Sequence, residues 1–217
     1  MMTISTIQEL IEKQAISLDI GCGANKQAGF IGMDIRPLEG VDIVHDIEKF
    51  PYPLPDECCT LVMASHVMEH INPHAGDSRT TNLIRLLLDK NLITPQNVKD
   101  YIGEIDPGPI FMRLMDEVWR ILRVGGRFMM EFPYAGTPPF WQDPTHVNGI
   151  TEVTLYYFDP EEPNPRPELY HVYEPRPWKI IYHTKDNEGI MNVVLEKRAD
   201  NPKYHHNTGR VGFRNEE

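Results

Sequence analysis

Leu18-Asp19-Ile20-Gly21-Cys22-Gly23-Ala24-Asn25, followed closely by Gly32-Met33-Asp34-Ile35, is the stretch that decides the fold. An apolar strand running into two glycines lets the backbone approach a ligand closely. A carboxylate at the end of the next strand suits the two hydroxyls of a ribose. Together they read as a nucleoside cradle, and a bound adenosine is implied.

Elimination narrows the adenosine. A dinucleotide fingerprint needs a third glycine three residues after the second and an acid roughly 20 residues downstream. Lys26 occupies the third glycine position and Asp34 comes too early, which disfavours NAD. A P-loop is excluded because no Gly-Lys-Ser or Gly-Lys-Thr exists to hold phosphate and magnesium. What remains is an adenosine without a pyrophosphate, carrying a charged group near Asp19. The sulfonium and ammonium of S-adenosylmethionine suit an acidic cradle better than a phosphate would.

At these residues the chain resembles the class I S-adenosylmethionine-dependent methyltransferases. Val41-Asp42-Ile43-Val44-His45-Asp46-Ile47 is similar to the family's third strand, and Leu61 to His70 to its fourth strand and the turn beyond. Phe111 to Val124, then Gly125-Gly126 and Arg127 to Pro133, resembles the helix, glycine stop and fifth strand that follow. These segments cover most of residues 15–133 in family order. The resemblance implies a Rossmann-like α/β fold with a mostly parallel seven-stranded sheet, order 3-2-1-4-5-7-6, the last strand antiparallel. It implies a cofactor site in which Gly21, Cys22 and Gly23 line the methionine moiety and Asp19 holds its amino group. Asp34 would bind the ribose, Ile35 and Ile47 flank the adenine, and Asp46 accept from its amine. Ser65 and His66 are also expected to bind the cofactor, His66 near its methyl group.

Length and composition bound the rest. At 217 residues the chain can bury one substantial core, read here as a single domain over 1–198 with a polar, frayed tail over 199–217. No run of about 18 apolar residues occurs, so no membrane span is expected. Met1 to Lys13 lacks the pattern of a signal peptide and reads as an amphipathic helix laid on the sheet, with a Ser5/Gln8 or Thr6/Glu9 capping box. Three cysteines make no disulfide framework, which suits a reducing cytoplasm. The net charge of -11 argues against nucleic acid as partner.

The links between the first three strands are short. Nine residues separate Ile20 from Phe30, fewer than the dozen or so a helical crossover needs, and Arg36 to Gly40 cannot hold a helix. One sheet face beside the cradle is therefore expected to be thinly covered, with a lid, a partner subunit or the N-terminal helix available to cover it. Residues 77–109 read as a helical insertion after strand 4, either a packing appendage, a lid over the substrate or a homodimer contact. Residues 133–177 are rich in proline and aromatics; by the resemblance they build the acceptor pocket. Trp178 to Tyr182 and Met191 to Glu196 read as a closing hairpin.

Methyl transfer to an O, N or C acceptor is an in-line displacement, so alignment is the main task and a base is needed only if the acceptor loses a proton. Candidates past strands 4 and 5 are Ser65, His66, Glu69 and His70, and Tyr134, Asp143 and His146, with His66 and His146 the expected bases. The acceptor is expected to be a small molecule or a glycan, and no metal is expected. Two other readings compete. His66-x-x-Glu69-His70 matches an inverted zinc-hydrolase pattern, although Pro73 and the preceding strand argue against the long helix it needs. A non-catalytic S-adenosylmethionine-binding protein would share the cradle.

Overall fold

The computed structural model describes residues 4–13, 15–72, 86–94, 96, 109–161, 169–173 and 175–204. Seven strands form one sheet: β1 (Ile16–Ile20), β2 (Ile31–Asp34), β3 (Ile43–Val44), β4 (Cys59–Ser65), β5 (Leu122–Pro133), β6 (Trp178–Lys185) and β7 (Ile190–Lys197). Their order is β3-β2-β1-β4-β5-β7-β6. Strands β1 to β5 run parallel, and β7 is antiparallel to both β5 and β6. Because β1 has β2 on one side and β4 on the other, the winding reverses there and opens a crevice at the strands' carboxyl ends.

The two-residue period of a strand sorts the side chains. Phe128, Met130 and Phe132 of β5 lie beside Leu195, Val193 and Met191 of β7, all buried on one face. On the opposite face Met129 and Tyr182 are exposed. Helix α2 (Ile110–Ile121) presents Phe111, Leu114, Met115, Val118 and Ile121 at helical spacing to the same core. Leu10 and Ile11 of helix α1 (Ile4–Glu12) also pack against it.

Several boundaries differ from expectation. The helix does not run to Val124; it ends at Ile121, because Leu122 turns to extended backbone (φ -74, ψ 139) and is buried opposite Cys59. Gly125 and Gly126 lie inside β5, where the register against β4 slips. Gly125 has φ +77, so these glycines shape a bulge rather than stop a helix. Strand β3 is two residues long instead of spanning Val41–Ile47. The hairpin strands are longer than expected, closed by a turn in which Asp186 Oδ1 accepts the N–H groups of Glu188 and Ile190.

The short links contain turns and no helix, yet the sheet face beside them is covered. Gly32 leaves room for the Lys26 stem and the Cys22 thiol: a Cβ at Gly32 would come 2.6 Å from Lys26 Cδ and 2.8 Å from Cys22 Sγ. Lys26 Nζ continues to Asp42 Oδ2 at 2.6 Å, and that oxygen also accepts the Gly32 N–H at 3.0 Å. The loop after β1 thus folds back over β2 and itself covers Gly32.

In the 133–177 segment, α3 (Pro138–Gln142), α4 (Glu152–Tyr156) and α5 (Tyr170–Tyr173) are short. Phe140, Tyr156, Phe158 and Tyr170 are buried, whereas Trp141 and Tyr173 are exposed. Residues 199–204 are held rather than frayed: Tyr204 is buried and its hydroxyl donates to Glu161 Oε1 at 2.9 Å. The insertion at 77–109, apart from residues 86–94, 96 and 109, and the tail beyond 204 lie outside the described residues. No helix among the described residues is long and apolar enough to cross a membrane.

Candidate active site

At the carboxyl ends of β1 to β4 the chain leaves a cleft of about 460 Å³, lined by Gly21, Asp34, Asp46, His66 and His70 together with Ile35 and Ile47. Gly21 has φ +66, and a Cβ there would come 2.5 Å from Val67 Cγ2. Only glycine satisfies both the left-handed backbone and the close passage of the turn after β4.

Asp34, 5% exposed, is tightly held. Its Oδ2 accepts the Gly23 N–H at 2.8 Å and its Oδ1 the Arg36 N–H at 2.9 Å, with Arg36 Nε at 3.4 Å. Burial pushes this carboxyl up, but the two N–H groups and the Arg36 guanidinium outweigh it and hold it below the usual carboxylate range. Asp34 is therefore ionised, and each oxygen retains a lone pair for a ligand. Asp46 Oδ1 accepts the Glu48 N–H at 3.0 Å, and its Oδ2 is 3.7 Å from Lys49 Nζ.

Other predicted cofactor residues are not among those that line this cleft. Asp19 is buried and its Oδ2 accepts the Gln27 N–H at 2.8 Å. Burial raises its pKa against the opposing pull of that N–H and of Lys26. Cys22 packs on Gly32; burial, with Asp19 and Asp34 nearby, pushes its thiol up to about 11, so it is inert. Gly23 acts through Asp34, to which it donates. Ser65 opens away from the cleft, onto a hollow of about 240 Å³ shared with Met63, Met129 and Tyr182, and donates to Glu131 Oε1 at 3.3 Å.

His66 follows β4 with φ +53, a left-handed backbone that a residue with a Cβ seldom adopts. Its imidazole is half exposed, with Nδ1 3.2 Å from Glu69 Oε1 and Nε2 3.4 Å from Glu131 Oε1. Glu69 belongs to a single 3-10 turn (Met68–His70) and is buried. The proposed pair of zinc ligands at His66 and His70 thus shares no helix face, which removes the geometry the hydrolase reading required. His146 is half-buried and not among the residues lining the cleft, its Nδ1 donating to the Phe140 carbonyl at 2.8 Å and its ring 4.7 Å from that of His70. Tyr134 is bound to Glu152, which together with burial pushes its hydroxyl up to about 12.

Sequence reasoning missed Arg36, Glu48 and Glu131 beside the site and the Lys26–Asp42 pair behind it. Arg36 follows Asp34 by two residues, a spacing at which a carboxylate takes the later N–H. Glu131 gave no signal, because its place depends on β5 pairing with β4.

Four residues at or just past strand ends, Gly21, Asp34, Asp46 and His66, thus converge on the crevice of a sheet ordered 3-2-1-4-5-7-6 with β7 antiparallel. This is the class I methyltransferase fold. No family model matches the chain, and no curated protein matches it. Solved structures that resemble it include a SAM dependent methyltransferase from Archaeoglobus fulgidus, 16% identical over 89% of this chain and 91% of that one, TM-score 0.48. N-methyltransferase NodS from Bradyrhizobium japonicum WM9 is 13% identical over 90% and 94%, TM-score 0.44. A SAM dependent methyltransferase from Aquifex aeolicus is 12% identical over 87% and 88%, TM-score 0.43. Likenesses this distant say nothing of the reaction; the class I methyltransferase fold here rests on the strand order, and the chemistry must be argued from the cleft.

Proposed function

We propose that the cleft binds S-adenosylmethionine and that the protein transfers its methyl group to an O, N or C nucleophile of a small molecule or glycan. The observation that carries this reading is the convergence of Gly21, Asp34, Asp46 and His66 on one cleft. Its size falls within the range of small-molecule sites, and Asp34, Asp46 and Glu48 against the single cation Arg36 give it a net negative lining. A cationic adenosine fits that lining; a pyrophosphate does not.

When bound, the cofactor supplies an already activated methyl carbon. Asp34 uses its remaining lone pairs to accept from ribose hydroxyls, held in direction by Gly23 and Arg36. Asp46 accepts from the adenine amine between Ile35 and Ile47. His66, half exposed at the cleft with Glu69 Oε1 beside Nδ1 and Glu131 Oε1 beside Nε2, takes the proton that the attacking acceptor loses, the two carboxylates stabilising the imidazolium that forms. His146 keeps the loop of residues 140–148 in place rather than acting as a base.

Calorimetry with S-adenosylmethionine tests the reading. Stoichiometric binding is expected, weakened in Asp34→Ala by about 1.5 to 3 kcal/mol as charge-assisted hydrogen bonds are lost. His66→Ala is expected to lower kcat more than cofactor affinity. Wild-type protein that does not bind the cofactor overturns the proposal.

A further inference from the structure

We propose that Glu69, His70 and His146 form a binding site for a divalent cation of the zinc type at the edge of the cleft. The three side chains each offer one ligand atom, and these atoms lie within 4.8 Å of one another. Tetrahedral zinc with bonds of about 2.0 to 2.2 Å places its ligands roughly 3.4 Å apart. Side-chain rotations that move each atom less than about 1 Å close the set around a metal.

A second observation points to a cation independently. Glu69 is 1% exposed, and its Oε2 is a buried oxygen without a hydrogen-bond partner. Its other oxygen, Oε1, faces His66 Nδ1 at 3.2 Å and His146 Nε2 at 3.9 Å. Among the described residues no lysine or arginine pairs with it, and Asp143 adds a second negative charge, with Oδ2 3.9 Å from His146 Nε2. A buried carboxylate facing imidazoles, one of which also has a second carboxylate beside it, calls for positive charge, which a bound metal provides.

The surroundings are built as a metal site's outer shell is built. His146 Nδ1 donates to the Phe140 carbonyl, which fixes the tautomer with Nε2 bare toward Glu69. His70 Nδ1 lies 3.0 Å from Thr145 Oγ1, and that hydroxyl donates to Asp143 Oδ1 at 2.6 Å. The turn and the loop are stitched together by the Val147 and Asn148 N–H groups, both 2.9 Å from the Glu69 carbonyl, and by Asn148 Nδ2 on the Met68 carbonyl. Two imidazoles with one carboxylate select zinc over magnesium or calcium, which take oxygen ligands, and leave a fourth position open. His70 also lines the cleft, so that position lies at the cleft's border.

The site differs from the inverted-hydrolase pattern because His146, distant in sequence, replaces His66. It does not depend on the methyltransferase reading. The test is a titration of zinc chloride into metal-stripped, untagged full-length protein against a chromophoric chelator, with X-ray absorption spectroscopy of the loaded wild type. One equivalent is expected, with a first shell of two imidazoles and one carboxylate. His70→Ala and His146→Ala should each weaken zinc more than about 100-fold, and His66→Ala, which removes a hydrogen bond to Glu69 Oε1 but no ligand, only about 10-fold. Absence of stoichiometric zinc, a shell of three imidazoles, or undiminished affinity in His70→Ala/His146→Ala overturns the proposal. The absorption spectrum needs no variant and decides the ligand set even if a substitution unfolds the protein.

Discussion

Between β1 and β3 the chain turns twice without a helix, and carboxylates hold it. Asp19 takes the Gln27 N–H, Asp34 those of Gly23 and Arg36, and Asp42 the Gly32 N–H together with the Lys26 ammonium. From β4 to β7 the same task falls to apolar volume: Phe128, Phe132, Leu195, Trp178 and the inner face of α2. A carboxylate tether fixes a loop's direction while leaving negative charge beside the crevice; apolar packing fixes position and leaves none. The first half is shaped for a ligand and sensitive to charge, whereas the second is shaped for stability and sensitive to volume.

Substitutions can break this division. The largest effect is expected in the apolar half, where Phe128→Ala removes a fully buried ring that lies 6.1 Å from the Trp178 ring; a loss of about 3 to 5 kcal/mol should appear in urea unfolding. A loss under about 1 kcal/mol there would mean that β5 does not anchor the core. In the tethered half, Asp42→Ala strands a mostly buried lysine and frees the Gly32 N–H. About 2 to 3 kcal/mol is expected, below a full buried-pair penalty because Lys26 can swing to water, and Lys26→Met should recover part of it in the double variant. Gly21→Ala is smaller, about 1 to 3 kcal/mol from left-handed strain and contact with Val67, and Val67→Ala in addition should relieve only the contact portion.

The smallest effect is a pH dependence carried by the tethering carboxylates of the first half. Asp34 is held below its ordinary pKa in the folded protein, so its contribution is complete above the unfolded value and is lost as pH falls through the depressed folded value. Unfolding curves of wild type and Asp34→Asn should therefore converge as the medium is acidified. Asp19, whose pKa is raised by burial, runs the other way: its contribution is complete below the unfolded value and diminishes as pH rises through the folded one. Divergence of the two Asp34 curves on acidification would contradict the tether.

The two halves also differ in how much of them the sequence revealed. Strands β1, β2 and β4, the helix after Phe111 and the final hairpin are carried by local periodicity, and they form near the places their residues indicate. The helix end was misread because Leu122 satisfies the helical apolar stripe and is equally buried as the first residue of β5, so periodicity alone does not separate the two. In the site, Gly21, Asp34, Ile35, Asp46, Ile47 and His66 reach one cleft because each lies at the end of a strand or in the turn beyond it. Asp19, Cys22 and Gly23 do not line it: the loop that carries them folds back on Gly32 through Lys26, a long-range closure with no local signature. The His70–His146 ring contact depends on two loops 76 residues apart meeting, which no spacing rule anticipates.

His66 stands where a glycine would sit more comfortably. Its left-handed backbone, φ +53, costs about 1 kcal/mol that glycine would not incur. His66→Gly thus sets two properties against each other: the native state should gain in melting temperature while the variant loses the imidazole at the cleft. Robustness and the lining of the cleft are in opposition at this one position, and a search for a hardier form of the protein by thermal selection alone would discard the side chain that borders the cleft.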